Sequence, residues 1–221
     1  MESASRVVAS AQTAPHRDLE ALVGRHLAHP FRKPFLDFNR DAFAAAMAAH
    51  DAWNPGSPLI LDAGCGVGWS TLRLAAVHPG HFVIGVDQSL DRLRRSKSQP
   101  LPANTVLVRA DLVDFWRLLA EAGIRLARHY VLYPNPWPKI GHLARRWHGH
   151  AVFPVWRALG GVLEVRSNWR IYIDEMALAL RLLDARSVEA GLFTTDDPMT
   201  PFEKKYLASG HALWQCLADL G

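Results

Sequence analysis

Cysteine is nearly absent from this chain: Cys65 and Cys216 are the only two, far apart and in no CxxC pair. Their scarcity argues against a disulfide framework or a zinc site and makes a reducing cytoplasm the simplest setting. No apolar run approaches the roughly 20 residues of a membrane span. The N-terminus also lacks the charged-then-apolar pattern of a secretory signal. Repeats and low-complexity tracts are missing. An excess of one charge is missing too: 25 Lys and Arg face 21 Asp and Glu, a net +4 with a pI near 9.3. That balance permits a nucleic-acid partner without demanding one.

What is present is an ordinary globular composition, 49% hydrophobic and 21% charged over 221 residues. It suffices for one sizeable core and falls short of two full domains. Residues 1–15 are small and polar and read as a frayed, disordered tail. Residues 16–221 read as a single domain, opening with helices around 17–28 and 38–51. The second carries Phe43 and Met47 at i, i+4 among alanines. The breaker Asn54-Pro55-Gly56-Ser57-Pro58 then starts the main fold over 55–221. Strands predicted at 59–62, 82–87, 105–108, 129–133 and 161–167 alternate with helices at 70–77, 90–98, 113–122, 148–158 and 171–183. Two further strands fall near 187–193 and 211–217. This alternation implies a parallel sheet covered on both faces. The last two strands, with no long helix between them, imply an antiparallel pairing at one edge.

The loop after the first strand is Asp62-Ala63-Gly64-Cys65-Gly66-Val67-Gly68. Its glycines permit a tight turn and close backbone approach to a ligand. The spacing is GxGxG rather than the GxGxxG of dinucleotide folds, and Asp62 disfavours a phosphate. A cationic ligand suits it better: the ammonium and sulfonium of S-adenosylmethionine. Asp87 ends the second strand, where a carboxylate accepts both ribose hydroxyls, and Asp111 follows the third, beside an adenine amino group. Three acids at successive strand ends lie on the edge where open α/β sheets bind ligands.

The fourth strand runs into Pro134-Asn135-Pro136-Trp137-Pro138-Lys139. Three prolines fix φ and remove backbone donors, so this segment is a stiff, extended loop. Lys139, Arg145 and Arg146 after it suit phosphates. Trp137 is read equally as a base-stacking platform or as loop packing. The basic cluster Arg92, Arg94, Arg95 and Lys97 is read as a solvated helix face.

With these residues in view, the chain resembles the bacterial tRNA (guanine-N7)-methyltransferases, S-adenosylmethionine-dependent enzymes of the class I methyltransferase fold. The run from Asn135 to Arg146, with Trp137, Lys139, His142, Arg145 and Arg146 in register, is similar to that family's Asp-Pro-Trp-x-Lys-x-x-His-x-x-Arg-Arg signature. Thr200-Pro201-Phe202-Glu203, with Gly210 and Trp214 beyond, is similar to its Thr-x-Phe-Glu motif. The resemblance covers about 55–217, and the glycine loop is its least specific part. It implies an α/β Rossmann-like fold with a seven-stranded, mostly parallel sheet and an antiparallel edge strand. It implies a tRNA partner, S-adenosylmethionine as cofactor, and 7-methylguanosine at position 46 of the variable loop as product. By position, Asp62, Gly64, Gly66, Gly68, Asp87, Asp111 and Asn135 would contact the cofactor. Asn135 would occupy the catalytic position. Lys139, Arg145, Arg146, Asn168, Thr200, Phe202 and Glu203 would bind substrate, with Glu203 accepting from guanine N1–H and its exocyclic amine. No metal is expected, the location is cytoplasmic, and monomer and homodimer stay open.

Two acids of the family pattern are amides here, Asn135 and Asn168. Guanine N7 carries a lone pair and no proton, so its attack needs no general base, and alignment supplies much of the rate. Asn keeps an acceptor oxygen and loses a charge that would stabilise the developing cation. Transfer at N7 is therefore expected, though weakened. The alternatives are methylation of another RNA or an exocyclic amino group, and a catalytically weak, cofactor-binding paralogue.

Overall fold

The two expected N-terminal helices form as α1 (Leu19–Ala28) and α2 (Asp37–Trp53) in the computed structural model, which describes residues 5–95 and 100–221. Strands β1 (Leu59–Ala63), β2 (Phe82–Asp87), β3 (Thr105–Arg109) and β4 (Arg128–Leu132) follow, separated by α3 (Trp69–Val77), α4 (Leu90–Arg95) and α5 (Leu112–Glu121). The last part of the helix expected over 90–98, including Lys97, lies outside the described residues. After α6 (Val155–Leu159) come β5 (Val162–Ser167), α7 (Arg170–Leu182), β6 (Ser187–Phe193), α8 (Pro201–Ala208) and β7 (Leu213–Asp219).

The helix expected over 148–158 is much shorter than its sequence suggested. The chain instead makes two 3-10 turns, Ile140–Arg145 and Trp147–Gly149, before the five residues of α6. Two local facts explain this. A Cβ at Gly149 would sit 2.2 Å from Leu143 O, so the backbone doubles back tightly there. Pro154 then offers no N–H, which makes it a place to begin a helix and not to continue one.

The sheet order is β3-β2-β1-β4-β5-β7-β6. β1 to β5 pair in parallel, and β7 runs antiparallel between β5 and the edge strand β6. All five residues of β1 are buried, as a central strand covered on both faces requires. Alternate residues feed two cores. Leu59, Leu61 and Ala63 join the larger one under α1, α2, α5 and α7, and Ile60 joins a smaller one with Leu74 and Ala75 of α3. Each fully buried aliphatic or aromatic side chain contributes about 1.5–3 kcal/mol.

One glycine makes an approach possible. A Cβ at Gly85 in β2 would lie 2.5 Å from both Thr71 Oγ1 and Leu107 Cδ2. Its absence lets α3 settle onto the sheet with Thr71 beneath the first loop. The order of connection reverses between β1 and β4, which are hydrogen-bonded neighbours with Asp62 opposite Tyr130. Loops leaving their C-terminal ends are pushed apart and leave a crevice. The glycine loop and the proline loop are those two loops.

Residues 5–15 form no regular element, but they are not the frayed tail expected. Ser5 N donates to Ser209 Oγ (2.9 Å) and Ser10 Oγ to Pro138 O (2.6 Å), while Gln12 Nε2 donates to Glu175 Oε1 (2.6 Å). The reason lies in the proline loop. Prolines present carbonyls without matching N–H groups, so the loop needs donors from elsewhere, and the N-terminal segment supplies some.

Candidate active site

Asp62, Asp87 and Asp111 follow one another along the C-terminal edge of the sheet, at the ends of β1 and β2 and just past β3. Asp62 is buried, and its Oδ2 accepts from Ser70 Oγ and Thr71 Oγ1, both at 2.6 Å. Burial lifts its carboxyl to about 6, with the two hydroxyls and nearby Asp87 acting as smaller influences. Asp62 thus ties the first turn of α3 to the strand beneath the glycine loop. No motif in the sequence marks Ser70 and Thr71. The signal available was two hydroxyl residues in the first helical turn, eight and nine positions after the acid.

Gly64, Gly66 and Gly68 all have positive φ (82°, 61° and 77°), and a Cβ built on Gly64 or Gly66 would meet nothing within 4 Å. They give the loop its shape and leave open space above it. Their amides are used inside the fold. Gly64 N donates to Val86 O, Gly66 N to Asp87 Oδ2 (3.0 Å), and Gly68 N to Cys65 O. The N–H groups of the first turn of α3 have no partner within the helix, as helix geometry dictates. Asp87 also accepts from Ser89 N (2.7 Å) and pairs with Arg92 at 3.3 Å, so one arginine of the basic cluster serves this carboxylate. Asp111 caps α5 by accepting from Val113 N. Buried Asn39 of α2 accepts from Asp111 N (2.9 Å) and donates to Asp114 (2.6 Å), which docks the N-terminal helices against this end of the site.

Across the crevice the proline loop begins and turns in left-handed backbone, with φ of 53° at Tyr133 and 46° at Trp137. Such conformations persist in bulky residues only where surroundings hold them. Tyr133 is held by its hydroxyl, which donates to Glu203 Oε1 (2.6 Å). Burial and that carboxylate push the phenol well above its ordinary range, so it stays a donor. Glu203 is itself fully buried, and it also accepts from Arg166 (2.9 Å) and Met199 N. Arg166 in turn pairs with Glu164, and the two carboxylates raise its pKa against the effect of burial.

Glu203 is therefore not the guanine acceptor that the motif implied. It anchors the start of the proline loop to α8. Thr200 caps that helix by accepting from Glu203 N (3.0 Å). Phe202, by contrast, is 57% exposed and stacks on Tyr206 at 6.2 Å. Tyr206 continues the stack onto His211, whose Nδ1 lies 3.2 Å from Asn168 Nδ2.

Arg146 also departs from its expected role. It is fully buried, so it cannot meet a phosphate. Its Nη1 donates to both oxygens of Glu175 (2.8 and 2.6 Å), its Nε and Nη2 to Trp137 O, and Nη2 also to Gln12 Oε1 and Lys139 O. With Ser10 on Pro138 O, three consecutive loop carbonyls have donors behind them. Burial would raise the Glu175 carboxyl, but His148 and Arg146 outweigh it and hold it down at about 2. Glu175 follows Asp174 in a helix with no local signature, so sequence offered no sign of this cluster.

Arg145 and Lys139 are exposed, as a phosphate contact needs. The Arg145 guanidinium lies 4.8 Å from the Trp137 ring centre, and His142 meets the same ring edge-on. Trp137 is thus packed within its own loop. Asn135 is exposed, and its Oδ1 accepts from Trp137 N (3.2 Å). Among the described residues no cluster of three or more His, Cys, Asp or Glu is arranged for a metal ion, and no helix is long and apolar enough to cross a membrane.

Known proteins agree with this architecture. A family model described as "Putative methyltransferase" matches residues 56–216. A tRNA (guanine-N(7)-)-methyltransferase of Nocardioides sp. is 32% identical over 170 residues, covering 71% of this chain and 65% of that protein. Its counterpart from Mycolicibacterium gilvum is 31% identical over 181 residues, covering 72% and 66%. The aligned part of this chain thus spans just under two thirds of the length of these relatives. Among solved structures, the 16S rRNA methyltransferase KamB superposes with a TM-score of 0.57 at 15% identity, over 85% of this chain and 94% of that one. The 16S rRNA (adenine(1408)-N(1))-methyltransferase of Catenulisporales acidiphilia gives 0.54 at 23% identity, over 85% and 93%. The structures share the fold, and the matched residues hold both loops and all three acids: the chain belongs to this methyltransferase family.

Proposed function

We propose that this protein transfers a methyl group from S-adenosylmethionine to N7 of a guanine in the variable loop of tRNA. One observation carries the reading. The glycine loop and the proline loop leave adjacent strands β1 and β4 at the switch point, with Asp87 and Asp111 on one side and Lys139 and Arg145 on the other. The relatives' names supply the tRNA guanine and its N7, and the motif resemblance supplies the variable loop.

The residues fit the cofactor. The open, left-handed glycine loop admits a ligand's backbone-close approach; Asp87, buried and already accepting from Gly66 N, Ser89 N and Arg92, would turn its remaining lone pairs to the ribose hydroxyls, and half-buried Asp111 would face the adenine amino group. When bound, the cofactor supplies an electrophilic methyl on a sulfonium. The chain's own part is positional, because N7 needs no deprotonation. Asn135 would help orient the cofactor's amino-acid end and the base. Lys139 and Arg145 would hold phosphates, and Phe202 would offer an aromatic face. Methylation of an amino group would require Asn135 Oδ1 as acceptor for the target NH2. That oxygen accepts one bond, from Trp137 N, and N7 is favoured instead by the names of the relatives and by the match of Lys139, Arg145 and Thr200 through Glu203 to the N7 family.

Mapping 7-methylguanosine by mass spectrometry in tRNA treated with the purified protein tests the reading. Methylation at the variable loop is expected, and none on unmodified tRNA would overturn it. Asp87→Ala is expected to abolish cofactor binding in calorimetry. Asn135→Asp is expected to raise the N7 rate, by restoring a negative charge beside the developing cation.

A further inference from the structure

Beyond the crevice, a cleft of about 1040 Å³ separates the N-terminal segment and α1 from the 3-10 turn Ile140–Arg145. It exceeds the roughly 300–1,000 Å³ of small-molecule pockets. Its walls carry apolar side chains, Leu22 on one and Ile140 and Ala144 on the other; Ile140 is 50% exposed. Arg17 and Arg25 stand on its rim, both exposed, and Asp18 is the one carboxylate among its lining residues. Arg17 and Asp18 approach to 3.7 Å, but both are well exposed, so solvent screens that pair and leaves the cation available. The opposite wall lies between the exposed cations Lys139 and Arg145 and is continuous with the proline loop. The near wall is held in place by Ser10 and Gln12 through their bonds to Pro138 and Glu175.

We propose that this cleft binds the single-stranded RNA flanking the target guanine, with phosphates against Arg17 and Arg25 and a base over Ile140. The identity of that RNA rests on the function proposed above. The chemistry of the cleft is independent of it: exposed Ile140 and its apolar neighbours suit the face of any base, and two exposed cations suit a sugar–phosphate chain. Continuity with Lys139 and Arg145 lets one strand run from the cleft to the crevice.

The test uses the full chain, an unmodified tRNA transcript and a mixed-sequence single-stranded oligoribonucleotide, with affinity measured across a salt series. Arg17→Ala/Arg25→Ala is expected to lower the slope of log affinity against log salt by about 1.4, from two lost single-strand phosphate contacts, and to weaken binding roughly tenfold. Ala21→Glu, on the exposed α1 side of the cleft, is expected to weaken RNA binding by added repulsion. Arg157→Ala, at an exposed pair with Asp184, is expected to change nothing. Cofactor affinity and unfolding midpoint should stay at wild-type values in all three. Unchanged slope and affinity for both RNAs in the first two variants would overturn the cleft. A wild-type protein that leaves tRNA unmethylated, yet binds the oligoribonucleotide through Arg17 and Arg25, would overturn the tRNA reading and keep the cleft.

Discussion

Asp62 and Glu175 are both carboxylates shut off from water, and each sits beneath one of the two loops that frame the crevice. Asp62 has hydroxyl partners only, so burial prevails and its carboxyl titrates near 6. Glu175 has buried Arg146 and His148 against it and titrates near 2. Depth alone therefore does not decide the charge of a buried acid; its partners do. The two loops differ accordingly. The glycine loop owes its shape to backbone conformation over a single anchor, and the proline loop owes its shape to ion clusters at both ends.

The largest expected effect comes from breaking the stronger anchor. Arg146→Met leaves Glu175 buried without its arginine, with His148, Gln12 Nε2 and His16 N as its partners, which should cost about 3–5 kcal/mol in urea unfolding. Arg146→Met/Glu175→Leu should recover much of that, since a well-packed apolar pair often replaces a buried ion pair without loss. A single variant within 1 kcal/mol of wild type would erase the contrast between the loops.

The two acids should next show opposite pH signatures. Asp62 has a folded pKa above its unfolded value of 3.8, so its contribution is intact below that value and lost as pH rises through 6. Asp62→Asn should therefore gain on wild type between pH 4 and 6, at up to about 1.4 kcal/mol per unit, with a flat difference above. Glu175 has a folded pKa below its unfolded 4.5, so its contribution holds above that value and fades as pH falls toward 2. Glu175→Gln should lose against wild type at neutral pH and approach it in acid. Denaturant titrations at stepped pH check both signs.

Smaller effects sharpen the comparison. Gly66→Ala places a Cβ at φ 61°, a backbone strain of about 1–2 kcal/mol without a steric clash, and calorimetry should show weaker cofactor binding. Arg145→Ala, at an exposed site, should leave stability within about 0.5 kcal/mol while lowering tRNA affinity in a binding titration.

Much of this was legible in the sequence where structure follows from local pattern. Short apolar runs between helices gave the parallel sheet, and glycine and proline spacing located both loops at strand ends. The burial of Arg146 and Glu203 was not legible, because each depends on partners brought close only by the fold. Arg146 meets a lone glutamate on α7 and a glutamine near the N-terminus. Glu203 meets a tyrosine and an arginine from two different strand ends. A motif marks such residues as needed and is silent on whether they touch the ligand or hold what does. The N-terminal segment was misread for a related reason: its polar composition resembles a tail, and its acceptors lie more than a hundred positions downstream.

The grip of Ser10 and Gln12 on the proline loop also has a hereditary side. A donor lost at either position leaves a loop carbonyl or the Glu175 carboxylate short of a partner, so substitutions there should be selected jointly with changes at Glu175 and Arg146. Among descendants of this chain, Ser10, Gln12 and the loop should covary as one inherited unit, despite their distance in the gene.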